Sequence, residues 1–148
     1  MAELTHLEKR RIQMEYVVPL IKDLQAILGE DVVNNALDER NRRNTEANQT
    51  SGDKADFTRM ADGAKMFAAG DALDYEVIAS DNDSFDMDVH RCGYTLLMEE
   101  LGGRDFGHLL VCNTDFPAAA RLGMTLTRTQ TQMQGAAFCN FRYRRAPR

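Results

Sequence analysis

The sequence predicts an α+β domain, with a helical N-terminal half packed on a small antiparallel β-sheet that carries inserted helices in the C-terminal half. Two observations support this class. Apolar residues recur at helical spacing as far as about residue 70, and the spacing then changes to the alternation typical of strands. A chain of 148 residues can bury a sizeable core. We therefore predict a single domain over residues 1–148, with a helical part at about 1–70 and a sheet-containing site part at about 71–148.

The first helix is predicted from its start signal and its apolar stripe. Thr5 and Glu8 match a capping box, in which a hydroxyl and a carboxylate bond the free amides of a helix start. Pro19 interrupts the pattern, so we expect a kink or a short break there, and Gly29 favours a helix end. His6 is expected on the helix surface. The stripe consists of Leu7, Met14, Val17, Ile21, Leu24 and Leu28.

Two further helices are predicted before residue 70. The second begins near Glu30 and fades into the polar stretch NRRNTEANQTSGD, which is typical of a helix end followed by a loop. The third is marked by apolar residues at helical spacing from Phe57 to Phe67, and it ends at Gly70.

The remaining elements alternate between strands and helices. ALDYEVIAS predicts a strand, and DNDS predicts the turn into a returning strand that contains Phe85, Met87 and Val89. Helical spacing resumes after Arg91, and two short helices are predicted in FGHLLVC and after Asp115 in DFPAAARLG. MTLTRTQ and AFCNFRY predict the last two strands.

Composition limits the classes of function. A net charge of −5 argues against nucleic acid as the main partner, and no apolar run approaches the roughly 20 residues of a membrane-spanning helix. The polar N-terminus lacks a signal-peptide apolar region, so we expect a cytoplasmic protein. Three widely spaced cysteines argue against a disulfide scaffold. The chain has no phosphate-binding glycine loop or dinucleotide fingerprint, and no cofactor is expected.

Two cysteines stand at positions that favour chemistry. Cys92 is predicted within the first turn of the helix after the hairpin, where the helix dipole favours a reactive thiolate, and His90 could serve as its base. Cys112 lies three residues before Asp115, a carboxylate able to orient water or carry a proton. The structural alternatives are a small buried residue at a strand-to-helix corner for Cys92 and a helix N-cap for Asp115.

An arginine in the third predicted strand is a further candidate. Alternation places Leu126, Arg128 and Gln130 on one face. The guanidinium of Arg128 could bind a carboxylate through two hydrogen bonds, and an edge-strand solubility role is the alternative.

In the last strand, Cys139 shares a face with two aromatic residues, Phe141 and Tyr143, while Asn140 and Arg142 share the other face. Such a face usually points to a core or to the wall of an apolar pocket. The gaps of 20 and 27 residues between the cysteines contain no C-x-x-C pair, so the spacing gives no support to a zinc site.

Three segments carry a resemblance to a known family: FDMDVHRCGY, LGGRDFGHLLVCNTDF and LTRTQTQMQGAAFCNFRY. Their order of residues resembles that of the L-2-amino-thiazoline-4-carboxylic acid hydrolase family. The N-terminal EKRRIQMEYVVPLIKDLQAILG is also similar to the family's opening helix, so the resemblance covers nearly the whole chain. The matching positions are Arg91 with Cys92, Cys112 with Asp115, Arg128 to Gln130, Gly135, and Cys139 with Phe141 to Tyr143.

The resemblance implies a hydrolase that opens a small cyclic amidine or thiazoline-type ring bearing a carboxylate. A thiolate, or a water oriented by Asp115, would attack the electrophilic carbon, and an arginine would pair with the substrate carboxylate. The implied catalytic residues are Cys92, Cys112, Asp115 and Cys139. The implied substrate-binding residues are Arg128, Gln130, Arg142 and His90, with no metal ligands among them.

One position departs from the family pattern, because an aspartate usually follows the third cysteine and this chain has Asn140. The departure bears on activity if that carboxylate takes part in proton transfer. A distant likeness to sensor domains of the 4-vinyl reductase type implies an alternative, a small-molecule or zinc-binding sensory module without turnover. An inactive family member that serves as a scaffold is a third reading. The expected partner is a small-molecule substrate, and the stripe of the first helix would also suit a homodimer interface.

Overall fold

The computed structural model describes residues 2–148 and begins with two long helices. α1 spans His6–Leu28 and α2 spans Glu30–Ala47. Gly29 separates them with a φ of 95°, so the predicted end of the first helix is confirmed. None of the helices in the described part of the chain combines the length and apolar character that a membrane crossing requires.

The predicted capping box at the start of α1 is confirmed. Thr5 Oγ1 accepts a hydrogen bond from the Glu8 amide (3.2 Å), and the Glu8 carboxylate accepts one from the Thr5 amide (2.7 Å). The two side chains therefore satisfy backbone donors that have no partner within the helix.

The break expected at Pro19 is absent, and α1 runs through this residue. Proline removes one backbone donor and crowds the preceding turn, which is the reason to expect a break. Pro19 itself is exposed, whereas Met14, Val18 and Ile21 on the neighbouring turns are buried in the helical core. Packing of these turns keeps the helix continuous.

α2 continues to Ala47, through much of the polar stretch predicted to fade into a loop. Arg42 pairs with Glu39 and with Glu46, about one turn away on either side. Asn41 is buried and donates a hydrogen bond to the carbonyl of Leu109 (2.7 Å). The latter contact lies far away in sequence, so the local pattern does not reveal it.

The third predicted helix is confirmed as α3, Met60–Ala68, preceded by a 3-10 turn at Phe57–Arg59. The turn forms because the Asp56 side chain accepts a hydrogen bond from the Thr58 amide (3.1 Å). Gly70 then adopts a φ of 74°, and the helix has ended before it.

Within residues 2–148, four antiparallel strands form one sheet in the order β1-β2-β4-β3. The strands are β1 (Leu73–Ser80), β2 (Ser84–Cys92), β3 (Met124–Thr127) and β4 (Cys139–Arg145). The predicted turn between β1 and β2 is confirmed, and the Asp81 carboxylate accepts hydrogen bonds from the amides of Asp83 and Ser84. The sheet and its helices confirm the α+β class.

β3 ends at Thr127, before the predicted end at Gln130. The amides of Thr129 and Gln130 each donate to Oδ1 of Asn140 at 3.0 Å, so they leave the ladder between β3 and β4. Arg128 therefore lies in the segment that departs from the strand and not within the strand.

Three helices are inserted between β2 and β3, as predicted: α4 (Gly93–Glu100), α5 (Arg104–Leu110) and α6 (Asp115–Arg121). The position predicted for Cys92 is wrong, because this residue ends β2 instead of lying in the first turn of α4. The ladder between β1 and β2 extends to the pair of Leu73 and Cys92, which includes the cysteine in the strand.

The core has two parts. One is helical and includes Val18 and Met98, and the other covers one face of the sheet and includes Phe85 and Val89. Cys92 packs against both parts. The candidate site lies where the two parts meet.

Candidate functional site

A cavity of about 750 Å³ lies between α1, α3 and α6 and one face of the sheet. The predicted parity of β4 is observed, because Cys139, Phe141 and Tyr143 line this cavity. The sheet wall is completed by residues of β2: Phe85, Met87 and Val89. The sheet side of the wall is thus apolar, and polar groups of the cavity lie around it.

All three cysteines line the cavity. Cys92 ends β2, Cys112 begins a 3-10 turn after α5, and Cys139 begins β4. β2 and β4 pair next to each other, with Val89 opposite Cys139, which brings the strand cysteines together. All three are free thiols. Their convergence depends on strand pairing and helix packing, since they are 20 and 27 residues apart.

Two of the thiols are held in their protonated form. Burial raises the pKa of Cys112 to about 12, although the charge of Arg128 opposes this shift. Burial also raises the pKa of Cys139, whose Sγ accepts a hydrogen bond from the Gln132 amide (3.2 Å). In residues 2–148, no group of three or more His, Cys, Asp or Glu side chains is arranged to hold a metal ion.

Asp115 forms an ion pair with Arg128 and does not cap a helix. α6 begins at Asp115 itself, the residue before it is Thr114, and no side chain caps this helix start. The carboxylate instead accepts a hydrogen bond from Nη1 of Arg128 (2.7 Å). The N-cap interpretation is therefore wrong, because the α6 start turns the carboxylate toward the buried arginine.

The Arg128 side chain is a rigid part of the cavity wall, with only 2% of its surface exposed. Nη2 donates to the carbonyl of Cys112 (2.8 Å), and the guanidinium carbon lies 5.2 Å from the ring centre of Phe116 and 4.9 Å from that of Phe141. Nε is buried without a hydrogen-bond partner among the described residues. These contacts leave Arg128 little freedom and orient Asp115.

The Asp115 carboxyl group has the environment of a base. Burial raises its pKa above the ordinary range, while the charge and hydrogen bond of Arg128 act in the opposite direction. Its side chain keeps 30% of its surface accessible, and because Asp115 lines the cavity, that surface can contact a ligand. A carboxylate with a raised pKa takes up a proton more readily than an ordinary aspartate.

His6 and Tyr94 form a polar pair in the same cavity, so the expectation that His6 lies on the surface is wrong. The Tyr94 hydroxyl donates to the carbonyl of Phe67 (2.9 Å), so His6 Nδ1 donates to the hydroxyl oxygen at 3.0 Å. Burial lowers the pKa of His6 and raises that of Tyr94 to about 12. Both groups are therefore neutral at pH 7.

Arg10 also lines the cavity, from the same side of α1 as His6. One feature of the sequence indicates that Arg10 and His6 lie together. They are four positions apart, which places them on one face of a helix whose start is marked by the capping box.

Three of the predicted substrate-binding residues lie outside the cavity. Gln130 donates to the carbonyl of Phe138 (3.1 Å), and Arg142 pairs with Asp88 (2.8 Å) on the opposite face of the sheet. His90 is exposed and borders a smaller cleft of about 250 Å³, which Cys92 also lines. Arg128 is the predicted substrate-binding residue that the fold places in the cavity wall.

Asn140 binds backbone and points away from the cavity. Its Oδ1 accepts hydrogen bonds from the amides of Thr129 and Gln130, and its Nδ2 donates one to the Thr129 hydroxyl (2.7 Å). The side chain therefore holds the segment directly after Arg128. An aspartate here could accept hydrogen bonds from the same two amides. Because the side chain points away from the cavity, the departure from the family pattern concerns the support of the site and leaves the cavity lining unchanged.

Comparison with known proteins gives the family of the chain. The comparison with curated proteins found no match. A similar solved structure is that of the phenol-responsive sensory domain of the transcription activator PoxR with phenol, with 11% identity, a TM-score of 0.49, and coverage of 97% of this chain and 76% of that chain. The model of the L-2-amino-thiazoline-4-carboxylic acid hydrolase family matches residues 9–143. Because this match spans nearly the whole chain, the protein belongs to the L-2-amino-thiazoline-4-carboxylic acid hydrolase family.

Proposed function

We propose that this protein is a hydrolase that opens a small cyclic amidine ring bearing a carboxylate, of the L-2-amino-thiazoline-4-carboxylate type. The observation that carries the proposal is the meeting of the Asp115–Arg128 pair with three cysteines in one cavity of a member of this family. A cavity of about 750 Å³ has ample room for a small ring and a water molecule.

Asp115 is the proposed base that activates water. Burial disfavours the thiolates of Cys112 and Cys139, so an attack by either sulfur would require an unfavourable deprotonation. The Asp115 carboxylate is oriented by Arg128, remains accessible from the cavity and has a raised pKa, which suits it to remove a proton from water.

The proposed reaction adds water across the amidine carbon of the ring. The oxygen bonds to this carbon while Asp115 takes one proton and returns it to a ring heteroatom. The second water proton reaches the ring heteroatoms when the new hydroxyl becomes a carbonyl and one ring bond breaks. Both protons thus end on heteroatoms of the opened product, and no other reactant is consumed.

The protonated thiols have a different proposed role. Cys112 and Cys139 provide polarisable sulfur and weak S–H donors beside the ring. Cys92 lies between the cavity and the smaller outer cleft. It is the thiol to examine for a covalent adduct.

Turnover of L-2-amino-thiazoline-4-carboxylate by Asp115→Asn tests the proposal. Loss of a general base lowers rates by about 10² to 10⁴-fold, so we expect kcat to fall by this factor. Asp105→Asn is the matched control, because Asp105 is an exposed aspartate in the first turn of α5 and lies outside the cavity. Circular dichroism confirms that each variant is folded.

The outcomes separate the parts of the proposal. Wild-type protein that binds this ring without opening it would contradict the hydrolase function and favour a binding module. Full activity of Asp115→Asn would contradict the role of Asp115. A mass increase on Cys92 during turnover, lost in Cys92→Ser together with activity, would replace the water route with a covalent one.

A further inference from the structure

Arg10 is a cation of the cavity wall without a partner of opposite charge, and it is less exposed than Lys54, Arg59 and Arg121, the other cations there that form no ion pair within residues 2–148. Arg10 on α1 lines the cavity, and it forms no ion pair within residues 2–148. Its Nη1 donates a hydrogen bond to Oε1 of Gln13 (3.2 Å). Its Nε is buried and has no hydrogen-bond partner in that part of the chain. A buried N–H of a charged group without an acceptor is costly unless a ligand supplies one.

Arg10 acts on the polar groups of the cavity. It lines the same cavity as Asp115, His6 and Tyr94, and its positive charge lowers the pKa of each of these three groups. Asp115 is already paired with Arg128, while His6 and Tyr94 are neutral at pH 7. None of these three groups therefore offers Arg10 a free anion.

Arg59 and Arg121 also line the cavity but are exposed, and the buried arginine, Arg128, is already engaged. Arg128 uses Nη1 for Asp115 and Nη2 for the carbonyl of Cys112, and two aromatic rings cover its faces. A substrate carboxylate would have to displace Asp115 to be bound by both of these nitrogens. Arg10 offers a free planar set of N–H donors that matches a carboxylate.

We propose that Arg10 is the substrate-binding residue that receives the carboxylate of the ligand, in place of Arg128. The inference rests on the proposed function and narrows it. The cavity selects a small zwitterion, whose carboxylate lies at Arg10 and whose cationic amidine lies at the Asp115 carboxylate. Rings that carry only the carboxylate or only the cationic amidine bind less tightly than the zwitterion.

Two substrates and three variants test this assignment. The substrates are L-2-amino-thiazoline-4-carboxylate and 2-amino-2-thiazoline, which lacks the carboxylate. The variants are Arg10→Gln, Arg10→Lys and Arg11→Gln. Arg11 is the matched control because it is exposed, pairs with Glu100 (2.8 Å) and lies outside the cavity.

Arg10→Gln is expected to lower kcat/KM for the carboxylate substrate by about 10- to 100-fold, mainly through KM, with little change for the ring that lacks the carboxylate. Arg10→Lys should recover part of the loss because it restores the charge without the planar fork. Arg11→Gln should match the wild type on both rings. An equal loss of Arg10→Gln on both substrates, or an equal effect of Arg11→Gln, would overturn the assignment while the hydrolase function stands.

Calorimetric titration with L-2-amino-thiazoline-4-carboxylate keeps the test valid if the wild type turns over neither ring. That outcome refutes the proposed function alone. Binding weakened by about 10- to 100-fold in Arg10→Gln and unchanged in Arg11→Gln would still support Arg10 as the carboxylate site. Equal binding by wild type and Arg10→Gln, or no binding by the wild type, would refute it.

Discussion

Asn140→Ala should destabilise the segment that follows Arg128. The asparagine accepts hydrogen bonds from the amides of Thr129 and Gln130 and donates one to the Thr129 hydroxyl. The two bonds to Thr129 are exposed, so water replaces much of each, whereas the Gln130 amide is partly buried and loses its acceptor. At about 0.5 kcal/mol for each of the two bonds that water replaces and about 1 kcal/mol for the unpaired, partly buried donor, we expect a loss of about 2 kcal/mol.

Thermal unfolding followed by circular dichroism measures this loss. In a domain of this size about 1 kcal/mol shifts Tm by about 3 °C, so Tm should fall by about 6 °C. Thr129→Val is the control, because it removes the exposed bond to the hydroxyl and keeps both amide bonds. Its free energy of unfolding should change by about 0.5 kcal/mol or less.

Asn140→Asp restores the usual family residue and tests its meaning. Both amide bonds remain and become charge-assisted, but a carboxylate now stands opposite Asp88 in the β2–β4 register. The two effects oppose each other, so we expect a change of about 1 kcal/mol or less and unaltered turnover. A melting point of Asn140→Ala within about 1 °C of the wild type would refute the supporting role, and a large gain of turnover in Asn140→Asp would show that this position reaches the chemistry.

Three further predictions concern thiol reactivity, pH and backbone packing. Because burial raises the pKa of Cys112 from 9.0 to about 12, its thiolate fraction at pH 8 falls about 1000-fold, and peptide mass spectrometry should show slow alkylation by iodoacetamide until urea unfolds the protein. Burial lowers the pKa of His6 and His108 below 6.5, so the unfolded chain binds more protons in acid and the free energy of unfolding falls from pH 7 to pH 5. Urea titrations should find this dependence weaker when both histidines are replaced by Gln. Gly52→Ala should destabilise strongly, since its Cβ would overlap a backbone carbonyl of the C-terminal segment, whereas Gly63→Ala meets nothing within 4 Å and should stabilise α3 by about 0.5–1 kcal/mol. Tm values of the two variants that shift in the same direction would contradict this last expectation.

The elements with strong local signals were predictable from the sequence. The capping box of Thr5 and Glu8, the turn at Asp81 and the parity of β4 each depend on residues within a few positions of one another. The errors occur where a distant partner decides. α2 extends beyond its expected end, and its Asn41 donates a hydrogen bond to the carbonyl of Leu109. β3 stops because the two amides after Arg128 donate their hydrogen bonds to the Asn140 side chain.

The candidate site was predictable in part. The sequence indicated Cys92, Cys112, Cys139 and Asp115, and the fold places all four around one cavity. It did not indicate Arg10 or His6, although helical spacing puts them on one face of α1, because spacing alone does not tell which face of a helix lines a cavity.

The sequence by itself determined the family, the fold class and the residue types available for chemistry. The tertiary structure alone decided which of them meet. Asp115 at a helix start could cap that helix or pair with a distant cation, and the burial of Arg128 selects the ion pair because a buried guanidinium needs an anion. Asn140 lies beside a cavity cysteine in sequence but on the other face of β4, since successive side chains of a strand point in opposite directions. Contacts between elements depend on packing over the whole chain, and local pattern cannot supply them.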